Sequence, residues 1–356
     1  MKTTRRIGCL LLAFVMLLSM GALTAFAQGA SKAASGKTYQ TVTLIGDSLM
    51  TGYMIQKSDG TYVDHTHGKR IKASWPSRVA DAVGATTYNN YAREGSGTNE
   101  ILRLLDKNYV PDDYFTDVSN AIIRKYFDGP EAFAKYQKQV QVDLKHSDLI
   151  LLNAGSNDLF ATVMTVIRKL MENDPTALSG PGVRTTLAEL DKTVQKLVGE
   201  GEVQKAWATV YSVLATAGLA ADVVSAMTEC AARGYLNFQK NWPKIAKKIH
   251  AINPDAKVVV IGLFNGARGM LALPGTDIGL GAAMDPLFNG MNANIISTNA
   301  LFHYYEYVDI TGVEHAAWPS ALELLDMNKL YGYMMLCTHP TKAGHKWIAR
   351  KALNVI

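Results

Sequence analysis

Residues 41–49 read Thr-Val-Thr-Leu-Ile-Gly-Asp-Ser-Leu, a β-branched and apolar run that stops at a glycine and turns polar at once. Such residues favour extended chain, and a nearly unbroken apolar run suits a strand buried on both faces. Four further runs have this character: Thr86–Tyr91, Asp148–Asn153, Lys257–Gly262 and Tyr304–Asp309. The second is polar and reads as an edge strand. Helical patterns separate them, at Trp75–Val83, Thr98–Leu105, Gly129–Leu144, Phe238–Ile252 and Thr341–Leu353, with Pro76 suited to a first helical turn. Strands alternating with helices predict parallel pairing through crossovers, hence one open sheet with helices on both faces, an α/β three-layer α/β/α sandwich.

Two stretches depart from this rhythm. About a hundred residues lie between the third and fourth strands, far more than one crossover needs. Their composition predicts a helical insertion over about 160–236, inside a domain spanning 39–356. Residues 265–294, rich in Gly, Asn, Met and Pro, read as a long irregular loop.

The first residues read as an address. Lys2, Arg5 and Arg6 precede the apolar run Ile7–Leu18, and Ala25-Phe26-Ala27 offers the small-x-small pattern of a cleavage site. This predicts a signal peptide over 1–27, cut after Ala27, a flexible leader over 28–38, and a secreted or extracytoplasmic protein. Retention of the apolar run as an N-terminal anchor is the alternative. Only Cys230 and Cys337 lie beyond it, enough for one disulfide at most. Lys and Arg number 36 against 31 Asp and Glu, and three of the bases belong to the address. The remaining excess, spread without a basic run, predicts no nucleic-acid partner and no anionic membrane surface. A small-molecule or glycan substrate fits better.

Chemistry concentrates just past the strands, where ligands bind in open parallel sheets. Ser48 follows the first strand and the turn-forming Gly46, placed as a nucleophile. Arg93-Glu94-Gly95-Ser96-Gly97 follows the second, where a glycine N–H could face an oxyanion. Asn153-Ala154-Gly155-Ser156-Asn157-Asp158 follows the third, and the Asn157 amide is a second potential donor. Near the C-terminus stand His339-Pro340 and Gly344-His345.

These blocks in this order, with Trp75-Pro76-Ser77-Arg78-Val79 and Ile252-Asn253-Pro254-Asp255-Ala256-Lys257-Val258, resemble the SGNH hydrolase superfamily, the GDSL esterases and lipases. The resemblance spans essentially the whole mature chain. It implies a flavodoxin-like sheet ordered 2-1-3-4-5 and a serine esterase. Ser48 is then the nucleophile and His339 the base, with the N–H groups of Ser48 and Gly95 and the Asn157 side chain forming the oxyanion hole. No metal or organic cofactor is needed. The natural substrate is read as a short acyl ester of carbohydrate or glycan. Alternatives are a lipase or lysophospholipase, with the insertion as a lid, and a non-catalytic binding protein that keeps the fold.

One block departs from the family pattern. Three residues before the base, where D-x-x-H is usual, stands Leu336, which has no side-chain acceptor. Either a main-chain carbonyl near Leu336 holds the imidazole, the favoured reading, or an acid does, with Asp309, Glu314 and Asp326 nearest in sequence. Asp47 and Asp158 read as braces of their turns, and His345 as structural. His65 and His67 read as a solvated loop rather than a metal site. Cys337 reads as a packing residue. Met270, Met284 and Met291 either line an acyl pocket or fill gaps. Tyr304, Tyr305 and Tyr307 belong to the fifth strand.

Overall fold

The computed structural model describes residues 38–63, 68–160, 221–270, 280–319 and 327–356, with the isolated positions Lys196 and Glu200. The expected signal peptide, His65, His67, Asp326 and most of the expected insertion lie outside the described residues. Five strands form one parallel sheet: β1 (Thr41–Ile45), β2 (Thr87–Asn90), β3 (Leu149–Leu152), β4 (Lys257–Ile261) and β5 (Glu306–Val308). Their spatial order is β2-β1-β3-β4-β5. Tyr304 and Tyr305 thus precede the fifth strand instead of belonging to it.

Alternation along the strands divides the interior into two cores. Val42, Leu44, Leu149, Leu151, Val259 and Ile261 face one side. There the helices α1 (Ser48–Thr51), α2 (Trp75–Ala82) and α9 (Lys342–Leu353) lie. Ile45, Ile150, Leu152, Val258 and Val260 face the other. That side is covered by α3 (Thr98–Leu105), α5 (Pro130–Lys145), α6 (Ala221–Ile252) and α7 (Asp285–Phe302). The helix α4 (Asp113–Tyr126) lies outside α3, and α8 (Met327–Cys337) leads to His339. The three-layer α/β/α sandwich therefore holds.

The stretch expected to be an irregular loop over 265–294 is corrected by α7, which begins at Asp285 after a 3₁₀ turn at Leu280–Met284. Its weak helix formers are kept for contacts. Asn292 accepts from the Leu263 N–H and donates to the Leu263 carbonyl, both at 2.8 Å. A Cβ at Gly290 would meet the Tyr235 hydroxyl at 2.5 Å. Met291 is wholly buried in the core. Tertiary contacts here override local propensity.

Helix α6 also begins before the expected Phe238, running unbroken from Ala221 across the expected end of the insertion. Phe238 and Trp242 stack at 5.7 Å and are fully buried, and Trp242 donates to the Tyr305 hydroxyl at 2.9 Å. Burial of two such side chains stabilises the fold by several kcal/mol, at roughly 25 cal/mol per Å² of apolar area. No described helix is long and apolar enough to cross a membrane.

Candidate active site

The four expected site residues gather at the carboxyl edge of the sheet. Gly46 ends β1 against the β3 exit so closely that a Cβ there would lie 2.5 Å from the Asn153 carbonyl oxygen. A larger residue would push Ser48 away from the crevice. Asp47 caps α1, accepting from the Leu49 N–H at 2.9 Å, and Ser48 starts the helix.

His339 arrives from the other end of the sequence and is buried. Its Nε2 lies 2.7 Å from Ser48 Oγ. Its Nδ1 faces the main-chain carbonyl of Met335, with Thr338 Oγ1 at 3.3 Å. A carbonyl can only accept, so Nδ1 carries the proton and Nε2 presents a lone pair to the serine hydroxyl. Met335 is in the last turn of α8, where carbonyls lack intrahelical partners and the helix dipole is negative. The imidazole thus completes the end of a helix, and that end favours a positive charge on the ring.

Neighbouring segments fix this arrangement. Thr338 packs so tightly on the loop after β4 that a Cβ at Gly266 would come within 2.6 Å of its Cα. Pro340 bridges to His315, and the Thr341 N–H donates to the Glu314 carbonyl at 3.0 Å. Glu314 accepts from the Thr341 hydroxyl at 2.7 Å, and Asp309 lies 3.9 Å from Lys351 Nζ. Two of the three acids considered as substitutes for the missing aspartate are thus occupied elsewhere. Tyr53 sets its ring edge-on to His339 at 5.1 Å.

Asn157 donates from Nδ2 to the Ser96 carbonyl at 3.1 Å, with Asp47 Oδ2 at 3.4 Å. The first contact ties the turn after β3 to the glycine loop that holds Gly95. The second is long and leaves that N–H weakly held. Asn153, with its amide nitrogen toward Asp47, donates to Oδ1 at 3.0 Å. Burial raises the Asp47 carboxyl to about 7, against the opposing Leu49 hydrogen bond.

Asp158 braces the same turn. It accepts from the Thr98 N–H at 2.8 Å, the Thr98 hydroxyl at 2.5 Å and Asn237 at 2.7 Å. Burial again raises its carboxyl to about 7. Asn241 extends the network to Asn99 at 2.9 Å and Asn237 at 3.1 Å. His345 lies outside the reacting groups. Its Nδ1 accepts from the Trp75 N–H at 3.3 Å, and burial pushes its pKa down to about 3, so it stays neutral. Cys337 is buried and free, with its thiol on the Ala317 carbonyl at 3.3 Å; Cys230 is free as well.

Sequence reasoning did not single out Tyr53, Asn237 or Asn241. The last two, four residues apart, form a polar stripe on one face of α6, a detectable signal on a helix otherwise apolar toward the sheet. Nothing in the sequence marks Tyr53.

A family model for the GDSL-like lipase/acylhydrolases matches residues 42–352. Among solved structures, the chain resembles an extracellular lipase from Streptomyces rimosus at 18% identity, covering 88% of this chain and 99% of that one, with a TM-score of 0.45. It resembles a phospholipase A1 from Streptomyces albidoflavus at 15% identity, covering 88% and 100%, with a TM-score of 0.45. A family two carbohydrate esterase from Clostridium thermocellum matches at 13% identity, covering 92% and 67%, with a TM-score of 0.38. No curated protein matches.

Proposed function

Because the chain belongs to the GDSL-like lipase/acylhydrolase family, it is an ester hydrolase, and we propose that it removes short acyl groups from carbohydrate or glycan outside the cytoplasm, using Ser48 and His339. The observation that carries this reading is the 2.7 Å contact between Ser48 Oγ and His339 Nε2, with the far side of the ring held by the Met335 carbonyl.

In the proposed reaction Ser48 Oγ attacks the ester carbonyl while its proton passes to His339 Nε2. The tetrahedral oxyanion is held by the N–H groups of Ser48 and Gly95 and by the Asn157 amide. As the bond to the alcohol breaks, Nε2 returns its proton to the leaving oxygen, giving an acyl-Ser48 intermediate. His339 then takes a proton from water, whose oxygen attacks the acyl carbon, and returns it to Oγ as the acid departs. The imidazolium formed in each half lies against the negative end of α8. Tyr53 beside His339 gives the leaving-group side an aromatic wall suited to the apolar face of a sugar. The export reading rests on Lys2 to Ala27 alone.

The test is labelling of the mature protein by a fluorophosphonate, together with acid release from acylated oligosaccharides. Wild type is expected to label and to release acid, and Ser48→Ala to do neither. A folded wild type that neither labels nor turns over would favour a binding protein.

A further inference from the structure

We propose that Tyr126, the last residue of α4, is a positioning residue that aims the Gly95 N–H at the oxyanion, an assignment that rests on the ester hydrolysis proposed above. The Tyr126 hydroxyl donates to the Glu94 carbonyl at 2.6 Å, with Glu94 Oε2 at 3.0 Å. That carbonyl and the Gly95 N–H belong to one peptide unit. In a trans peptide the two point in opposite directions, so a group that fixes the carbonyl also fixes the N–H.

This peptide is the one whose direction the rest of the loop leaves open. The Ser96 N–H donates to the Arg93 carbonyl at 3.1 Å and closes a β-turn with Glu94 and Gly95 at its centre. Gly95 has a φ of 84° and the φ of Glu94 is negative, the combination of a type II turn. A type I turn closes with the same hydrogen bond but has the central peptide reversed, and glycine fits either form. The corners are held in both forms. The Arg93 N–H donates to the Gly46 carbonyl at 3.0 Å, and the Ser96 carbonyl accepts from Asn157 at 3.1 Å. Reversal would turn the Glu94 carbonyl oxygen to the side where the N–H stands, setting a lone pair against a developing negative charge. The contact from Tyr126 opposes that reversal.

Two further observations support the assignment. The N–H groups of Arg93, Ser96, Gly97 and Thr98 all have acceptors within the fold, whereas among the described residues none accepts from the Gly95 N–H. The donor that Tyr126 aims is thus the one this loop leaves for a ligand. Tyr126 is itself anchored: the next residue, Phe127, packs on Phe133 and Tyr136 at 5.2 and 4.8 Å, and the Arg93 guanidinium lies 4.8 Å over the Tyr136 ring. The end of α4 and the start of the turn therefore share one aromatic support.

The experiment measures kcat and KM on p-nitrophenyl acetate, and the Ki of a trifluoromethyl ketone, for wild type, Tyr126→Phe, Gly95→Ala and Ser48→Ala, with folding checked by circular dichroism. The ketone carbon takes Ser48 Oγ, the serine proton passes to His339, and the ketone oxygen becomes the oxyanion. Tyr126→Phe is expected to lower kcat about tenfold, with KM within about twofold and Ki raised by the same factor as kcat falls. The loss is smaller than the 10²–10³ of removing a whole donor, because the peptide is loosened rather than lost. Gly95→Ala is expected to show the same pattern, since its Cβ meets nothing within 4 Å and only the positive φ is strained. A Tyr126→Phe protein that keeps wild-type kcat and Ki, changes KM alone or loses its fold overturns the assignment while Ser48-dependent hydrolysis by wild type stands. If wild type cleaves no ester and mass spectrometry finds no adduct on Ser48, the hydrolase reading falls and the assignment with it.

Discussion

Three side chains and one carbonyl carry the proposed chemistry. Ser48→Ala and His339→Ala are each expected to lower kcat on an acetate ester by about 10⁴-fold or more, since nucleophile and base act as a unit. Asn157→Ala is expected to cost about 10²–10³ in kcat with KM little changed, because its contact strengthens only as the oxyanion forms. Leu336→Asp gives a sharper test. It restores the usual acid position, but His339 Nδ1 already has its acceptor in the Met335 carbonyl. The variant is therefore expected to stay within about tenfold of wild type in kcat; a larger gain would mean that the carbonyl positions the ring poorly. The meeting of Ser48 with His339, and of the Asn157 turn with the glycine loop, was legible because glycines, an amide and a histidine just past strand ends form a chemical pattern. The carbonyl was legible only as a gap at Leu336, since a main-chain group leaves no mark in the residue alphabet. The network behind Asn157 was hidden because its members meet across long sequence separations.

At the scale of elements, the turn after β3 that holds Asn157 is seated directly on α6. A Cβ at Gly234 would lie 2.1 Å from the Asp158 carbonyl oxygen, and Asn237 one turn on donates to the Asp158 side chain. Gly234→Ala must push helix and turn apart. Overpacking of this kind costs about 1–3 kcal/mol. The expected result is a lower Tm and a reduced kcat, read from a thermal melt and from acetate hydrolysis. A lower Tm with unchanged kcat would mean that α6 supports the fold without positioning Asn157. The sheet was legible because β1, β3 and β4 are apolar on both faces, and α2, α3, α5 and α9 because their patterns are amphipathic or well capped. Helix α4 escaped because Tyr114, Thr116, Val118, Ile122 and Ile123 are not strong helix formers. Helix α7 escaped because its Asn and Gly residues imitate a loop while serving Leu263 and Tyr235.

At the scale of the whole molecule, two buried carboxyls tie stability to pH. Asp47 and Asp158 sit at about 7 in the fold and near the ordinary carboxylate value of about 4 when unfolded. Between those values the folded state holds more protons, so stability falls as pH rises from about 4 through about 7. Thermal melts across that range are expected to show Tm decreasing, with a shallower slope in Asp158→Asn; an unchanged slope would mean that Asp158 is not the group responsible. The same molecule joins residues far apart in the chain. Ser48 meets His339, Trp75 meets His345, and Tyr39 reaches Ile356 at 3.5 Å. A ribosome delivers these partners in order, so the nucleophile emerges early and waits, without its base, for nearly three hundred residues. With the roles proposed above, a nascent chain that has not yet reached His339 has no ester-cleaving power. Activity then appears only when His339 is brought to Ser48, which makes its onset a report that synthesis and folding have reached the far side of the sheet.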